Sequence, residues 1–292
     1  MYKPELILPS KCIIGEGPLW DAENKLLYFI DIIDKKIFCL DTKTNEVEEM
    51  DCGQYVGMVG FSKENDFIAA LQHGFYYVDF KNKKMTQICD PESDKPNNRF
   101  NDGKVGPGGM LLAGSVCLDW DNGCGTNDPL SKLYRMNKHH DVKVLDEAVI
   151  ISNGTAWTQD EKTLYFIDSA TFKVFAFDYD KKTGDTSNKR VVINVPEEKG
   201  FPDGMTIDEE GKLWICHWGG SAVHRWDPDT GKIMESIPMP VSQPTCCAFG
   251  GDNMDELYIT SACNGVEEEL AGGLFKVKLN VKGFGPYVFG QE

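Results

Sequence analysis

Four short segments each join a polar or acidic side chain to a neighbouring glycine. They are Gly15-Glu16-Gly17-Pro18-Leu19-Trp20, Asn97-Asn98-Arg99-Phe100-Asn101-Asp102-Gly103-Lys104, Ile151-Ser152-Asn153-Gly154-Thr155-Ala156-Trp157 and Phe201-Pro202-Asp203-Gly204-Met205. In each, the polar group lies about ten residues before an apolar run. Glu16, Asn153 and Asp203 together offer two carboxylates and an amide carbonyl. An all-oxygen set of this kind suits hard or borderline divalent cations and leaves coordination positions for water or substrate. A cation with an open position polarises a carbonyl and lowers the pKa of bound water, which are the two needs of hydrolysis. Taken singly, Asn-Gly and Asp-Gly are turn dipeptides that merely reverse the chain. The chemistry therefore depends on an architecture that brings the segments together.

That architecture shows in a repeat. Six times, a short apolar run is followed by a polar turn and a second apolar run, as in Leu26-Leu27-Tyr28-Phe29-Ile30-Asp31 and Lys36-Ile37-Phe38-Cys39-Leu40-Asp41. Leu27, Phe67, Met110, Leu164, Leu213 and Leu257 mark successive first runs at spacings of 40, 43, 54, 49 and 44 residues. The runs are β-branched and aromatic, with Gly, Pro, Asn and Asp between them. A period of roughly 40–50 residues with several short strands is the mark of a β-propeller. The expected fold is all-β, a six-bladed β-propeller, with residues 1–292 as one domain. Weaker runs at Val47–Met50, Val191–Ile193 and Ile233–Ile237 are candidates for outer strands. The opening strand Glu5–Leu8 is expected to complete the last blade beside Pro286–Phe289, closing the ring. Equivalent placement before their blades would carry Glu16, Asn153 and Asp203 to one end of a central channel.

Composition narrows the function classes. The 292 residues include 46 acidic and 30 Lys or Arg side chains, a formal charge of −16. Nucleic-acid binding begins with basic residues neutralising phosphates, so such a partner is not expected. Docking on an anionic membrane is disfavoured for the same reason. No window approaches the roughly 18–20 apolar residues of a membrane span, and the N-terminal segment has no apolar stretch long enough for a signal peptide. A cytoplasmic protein is expected, with its ten cysteines reduced and mostly buried. The absence of CxxC pairs argues against cysteine-ligated zinc. His217, beside Trp218-Gly219-Gly220, could reach the channel mouth and touch a substrate.

The four polar-glycine segments, with Thr206-Ile207-Asp208, Gly211-Lys212-Leu213-Trp214 and Cys247-Ala248-Phe249-Gly250-Gly251, resemble the SMP-30/gluconolactonase family. The resemblance runs from about Gly15 to Gly285. It implies a six-bladed propeller with one catalytic divalent metal, held by the residues matching Glu16, Asn153 and Asp203. Asp203 also matches the residue usually assigned as general base. Arg99 and Asn101 match substrate-contacting positions. A further acidic contact falls in Gly114-Ser115-Val116-Cys117-Leu118-Asp119, where the nearest match is Asp119, one methylene shorter than the usual Glu.

The implied activity is hydrolysis of a sugar-acid lactone, with the carbonyl polarised by the metal and an Asp base activating water. Oxygen donors admit calcium, magnesium, manganese, zinc or ferrous iron. The expected partner is a small-molecule lactone, and the protein is expected to be a monomer or a small homo-oligomer. Two other readings stay open. One is a non-catalytic cation-binding propeller. The other is a hydrolase of a non-sugar ester or nitrile-like substrate, as in luciferin-regenerating enzyme.

Overall fold

The computed structural model describes residues 2–118 and 130–291. The chain forms six four-stranded antiparallel sheets. In chain order the first strand is β1 (Glu5–Leu8), followed by blade one with β2 (Gly15–Asp21), β3 (Leu26–Asp31), β4 (Lys36–Asp41) and β5 (Val47–Asp51). Blade two has β6 (Val56–Phe61), β7 (Phe67–Leu71), β8 (Gly74–Asp79) and β9 (Lys84–Cys89). Blade three has β10 (Asn98–Gly106), β11 (Met110–Cys117), β12 (Ser131–Met136) and β13 (Val142–Val149). Blade four has β14 (Ser152–Trp157), β15 (Thr163–Asp168), β16 (Lys173–Asp180) and β17 (Asp185–Asn194). Blade five has β18 (Phe201–Ile207), β19 (Leu213–Trp218), β20 (Ala222–Asp227) and β21 (Lys232–Pro238), and blade six has β22 (Pro244–Gly250), β23 (Glu256–Ser261) and β24 (Leu274–Lys278). No α-helix occurs among the described residues, and none of their helices is long and apolar enough to cross a membrane.

This is the expected six-bladed propeller. The runs at 47–50, 191–193 and 233–237 fall in the outer strands β5, β17 and β21. These strands are largely exposed, and β21 alternates exposed with partly buried residues, as suits outer strands with a solvated face. One expectation is corrected. β1 does complete blade six, but it pairs with β24, with Leu6 opposite Phe275 and Leu8 opposite Leu274. The 286–289 segment instead crosses to blade two, where the Phe289 N–H donates to the Phe61 carbonyl at 2.7 Å. Phe289 buries its ring in an apolar cluster with Met58, Phe75 and Phe100, which gives that segment a better home than a sheet edge.

A second correction concerns the polar-glycine segments. They do not lie ahead of their blades. They form the starts of the innermost strands β2, β10, β14 and β18. The apolar runs that mark the repeat are the second strands. The innermost strands crowd round the axis, with β2 packed between β6 and β22, and β14 between β10 and β18. A Cβ on Gly154 would lie 2.8 Å from the Asp203 carbonyl oxygen, and one on Gly204 would lie 2.3 Å from the Cys246 sulfur. Glycine at these points lets neighbouring blades close on one another.

Between the blades, apolar side chains interlock. Trp214, Cys216, Phe249 and Phe275 join blades five and six, while Ile30, Phe67 and Val78 join blades one and two. β1 is the strap that completes the ring, and Tyr2, just before it, donates a hydrogen bond to Glu235 at 2.8 Å. Deletion of residues 1–8 should lower the stability by about 3 kcal/mol or more, since Leu6 and Leu8 leave their clusters and the β24 edge is bared. Urea denaturation checks this; an unchanged midpoint would contradict the closure.

Candidate functional site

Each innermost strand breaks register with its neighbour at the same level. The irregularities fall between Glu16 and Leu19, Val56 and Met58, Phe100 and Asp102, Ser152 and Thr155, Pro202 and Met205, and Pro244 and Cys247. A bulge frees a residue from the ladder and re-aims its side chain. Asn101, Asn153, Asp203 and Cys246 lie within these breaks, and Glu16 sits at the edge of one. A ring of bulges therefore turns the chemistry-bearing groups toward the axis.

Glu16, Arg99, Asn101, Asn153 and Asp203 line a single cavity of about 440 Å³. All five of these sequence-derived candidates are thus brought together. The sixth, Asp119, lies outside the described residues. His217 is not in the cavity. It is fully buried inside blade five, its ring parallel to that of Trp226, whose Nε1–H donates to its Nε2 at 3.2 Å. Burial lowers its pKa to about 3, so it is a neutral packing group. Alternation along the strand turns His217 inward, and its neighbour Trp218 meets the cavity.

The segments before the site strands are clamped by buried carboxylates. Asp31 accepts from the N–H groups of Ile13 at 2.7 Å, Ile14 at 3.2 Å, and Ile33 and Asp34 at 3.1 Å. Asp168 accepts from Ile150 and Ile151 at 3.1 and 2.9 Å. These bonds fix the chain immediately ahead of Glu16 and Asn153. The start of β10 is held by Glu92, which is buried and accepts from Asn98 Nδ2, Ser115 Oγ and Tyr134 OH at 3.1, 2.9 and 3.0 Å. Sequence reasoning passed over all three acids, because an Asp closing an apolar run, like Asp31 or Asp168, looks like a turn residue, and Glu92 stands in a polar stretch beside Pro91.

The polar groups at the base are largely committed. Arg99 Nη1 donates to the Phe100 carbonyl at 3.0 Å and to Asn101 Oδ1 at 2.8 Å, and its Nε has no partner. Asn101 Nδ2 donates to the Ser152 carbonyl at 2.7 Å. Asn153 Nδ2 donates to Ser169 Oγ at 2.9 Å, and Ser169 Oγ donates in turn to the Pro202 carbonyl at 2.6 Å. This chain fixes the Asn153 amide so that its Oδ1 faces inward, buried and without a partner.

Electrostatics here favour a cation. Burial raises the Glu16 carboxyl well above its usual range, and the fields of Asp203 and then Asp102 raise it further. The Gly17 N–H, 2.9 Å from Oε2, and the Cys246 thiol pull the other way. Asp203 is likewise raised, by burial first and then by Asp102. Asp102, one residue beyond the β10 break, is pushed up to about 6 by burial, with Lys104 and the Gly103 N–H opposing. Arg99 is lowered by burial to about 10 and remains charged at neutral pH. Buried carboxylates this close are stabilised by protons or by a cation. The unpaired Asn153 Oδ1 adds the neutral oxygen that a cation, but not a proton on a carboxylate, would use. The residues thus fit a divalent ion held by Glu16, Asn153 and Asp203. Among the described residues, no three His, Cys, Asp or Glu side chains form a metal-binding group, so the amide is essential to the set.

Cys246 and Asp102 are additions that the sequence did not single out as site residues. Of the vicinal pair, Cys247 turns to the inter-blade core and donates to the Trp214 carbonyl at 3.4 Å, while Cys246 faces the Glu16 carboxylate. Among the described residues, eight cysteines are free thiols, as expected, but Cys117 is disulfide-bonded, which departs from the expectation of a fully reduced set.

The SMP-30/Gluconolactonase/LRE-like region model matches residues 14–263, a span containing every site residue named above. The chain belongs to this family. Regucalcins of Xenopus laevis and Homo sapiens are each 38% identical over 294 residues, covering 98% of both chains. A luciferin-regenerating enzyme structure superposes with a TM-score of 0.92 at 30% identity, covering 100% of both chains. A calcium-binding protein, regucalcin, from Agrobacterium tumefaciens shares the fold at TM-score 0.91 and 24% identity, covering 99% of this chain and 97% of that one. The SMP-30/gluconolactonase/LRE-like propeller is thus the frame in which these bulges sit.

The raised carboxyl of Asp102 generates a prediction with a definite sign. Its folded pKa of about 6 exceeds its unfolded value, so its contribution to stability is fullest below pH ~4 and is lost as pH rises through about 6. Asp102→Asn should therefore stabilise the metal-free protein at pH 8 by about 1–3 kcal/mol and have little benefit at pH 4. Thermal melts of both proteins at the two pH values check this; destabilisation at pH 8 would contradict it.

Proposed function

We propose that the protein is a divalent-metal-dependent lactonase, with Glu16, Asn153 and Asp203 as metal ligands and Asp203 as general base. The observation that supports this most is the convergence of two raised carboxylates, the unpartnered Asn153 Oδ1 and the Arg99 guanidinium in one cavity. Membership of a family whose description includes gluconolactonase points the same way. A purely cation-binding role, which the regucalcin name of the relatives brings to mind, would leave the buried Arg99 without a task.

A divalent cation held by Glu16, Asn153 and Asp203 would supply Lewis-acid polarisation of the lactone carbonyl. Asp203 accepts a proton from the attacking water, whose oxygen forms the new bond to the carbonyl carbon. Arg99 donates to oxygen as negative charge develops there, and its fixed fork lowers the cost of orienting those donors. Asn101, locked at both ends of its amide, keeps Arg99 in place. The ring C–O bond then breaks, and the proton held by Asp203 passes to the departing ring oxygen, giving the hydroxy acid. Oxygen ligands leave calcium, magnesium, manganese, zinc and ferrous iron as the metals to compare.

Acid release from a panel of lactones, followed with a pH indicator, tests this. EDTA should remove turnover and added divalent metal should restore it. Asp203→Ala should lower kcat about 10²–10⁴-fold. Glu16→Gln should mainly raise the metal concentration needed for half activity. Full metal-dependent activity in Asp203→Ala would overturn the assignment, as would no acid release from any lactone with any of these metals.

A further inference from the structure

The base of the cavity is polar, but its walls are not. Ile14, Ile33, Val116, Leu118, Phe201 and Trp218 line it above the carboxylates. Leu118 and Phe201 are 39% and 42% exposed, two of the eight large apolar side chains that stand exposed among the described residues. Exposed apolar groups gathered at the mouth of a site mark what the site binds. Phe201 lies directly opposite Trp218 in the β18–β19 ladder, two residues before Asp203. Its ring is backed by that of Phe172, with centroids 4.6 Å apart. This rim is a fixed apolar surface beside the general base.

A polyhydroxylated lactone needs a hydrogen-bond partner for each hydroxyl it buries. Among the described residues that line the cavity, most polar side chains near the base are already committed, with Asn264 a further amide in the lining. Asn101 is bonded at both its oxygen and its nitrogen, and Ser169 both accepts from Asn153 and donates to Pro202. Arg99 retains donors, enough for the reacting carboxyl group itself.

We propose that the substrate carries its reacting carbonyl on an apolar body: an alkyl- or aryl-substituted lactone, seated against Phe201 and Trp218, in preference to a sugar lactone. This rests on the lactonase reading above and narrows its substrate class. Removing two methylene groups from water is worth roughly tenfold in affinity, so the preference is measurable.

The test has two arms, both with metal-loaded protein. Turnover is compared for δ-decalactone, unsubstituted δ-valerolactone and glucono-δ-lactone. Binding is measured by calorimetry with two unreactive lactams, 6-pentylpiperidin-2-one and gluconolactam. The pentyl lactam should bind at least about tenfold more tightly than gluconolactam. δ-Decalactone should exceed δ-valerolactone in kcat/KM by a similar factor, chiefly through KM. Phe201→Ser, a change at an exposed position, should cut the pentyl advantage severalfold in both arms. If no lactone is hydrolysed, the lactonase reading falls, and the lactam preference with its loss in Phe201→Ser still supports an apolar ligand. Equal or tighter binding of gluconolactam overturns the substrate class even if turnover is seen, and binding of neither lactam overturns it as well.

Discussion

Three carboxylates, Glu16, Asp102 and Asp203, are buried around one axis, and each raises the cost of keeping another charged. None of the three is more than 7% exposed, so water relieves only part of this. Lys104 offsets part of the charge near Asp102, while its ammonium also ties β10 to β14 and β18 through the Thr155 and Met205 carbonyls at 3.1 and 2.8 Å. The remaining stress falls on Glu16 and Asp203, beside the Asn153 Oδ1, which has no hydrogen bond. The apolar interlocking of blades holds this unfavourable cluster together, and a bound cation would turn its cost into affinity.

The propeller suits the task because it separates stability from chemistry. Interdigitated side chains between blades supply the cohesive energy, and the ring is closed by β1 on β24. The inner strands are then free to break register. Their bulges place Asn101, Asn153, Asp203 and Cys246 off the ladder at one level. Buried acids outside the cavity do the aligning: Asp31 and Asp168 collect backbone N–H groups ahead of Glu16 and Asn153, and Glu92 anchors the strand that carries Arg99. Six equivalent positions on six blades thereby carry different side chains, so the site's chemistry is set residue by residue on a uniform frame.

Much of this was legible in the sequence, and the limits have physical causes. The blade count followed from second strands such as Leu164–Asp168, whose apolar runs repeat clearly because both of their faces are buried between blades. The innermost strands read as segments ahead of the blades because Gly15-Glu16-Gly17 and Asp203-Gly204 carry turn residues, selected by crowding and by bulges rather than by any turn. Glu16, Asn153, Asp203, Arg99 and Asn101 were all found, because their glycine neighbours and equivalent spacing betray them. His217 was misplaced by one residue of strand alternation, which puts it in the core and Trp218 in the cavity. Asp102 and Cys246 were missed as site groups because an Asp before a glycine reads as a turn residue and a thiol in an apolar strand reads as packing. The closing partner of β1 could not be read from local pattern, since Phe289 found its place in an apolar cluster two blades away.

The chemistry of the site depends on the buried carboxylates exchanging protons for a cation. Calorimetric titration of the metal-free protein with calcium, and separately with zinc, near pH 6 in two buffers of different ionisation enthalpy measures this directly. Carboxyls raised by burial should give up protons as a single ion binds, so the apparent enthalpy should differ between buffers, and the difference should shrink as the pH rises to 8. Binding of neither ion, or saturable binding with the same enthalpy in both buffers at pH 6, would contradict it.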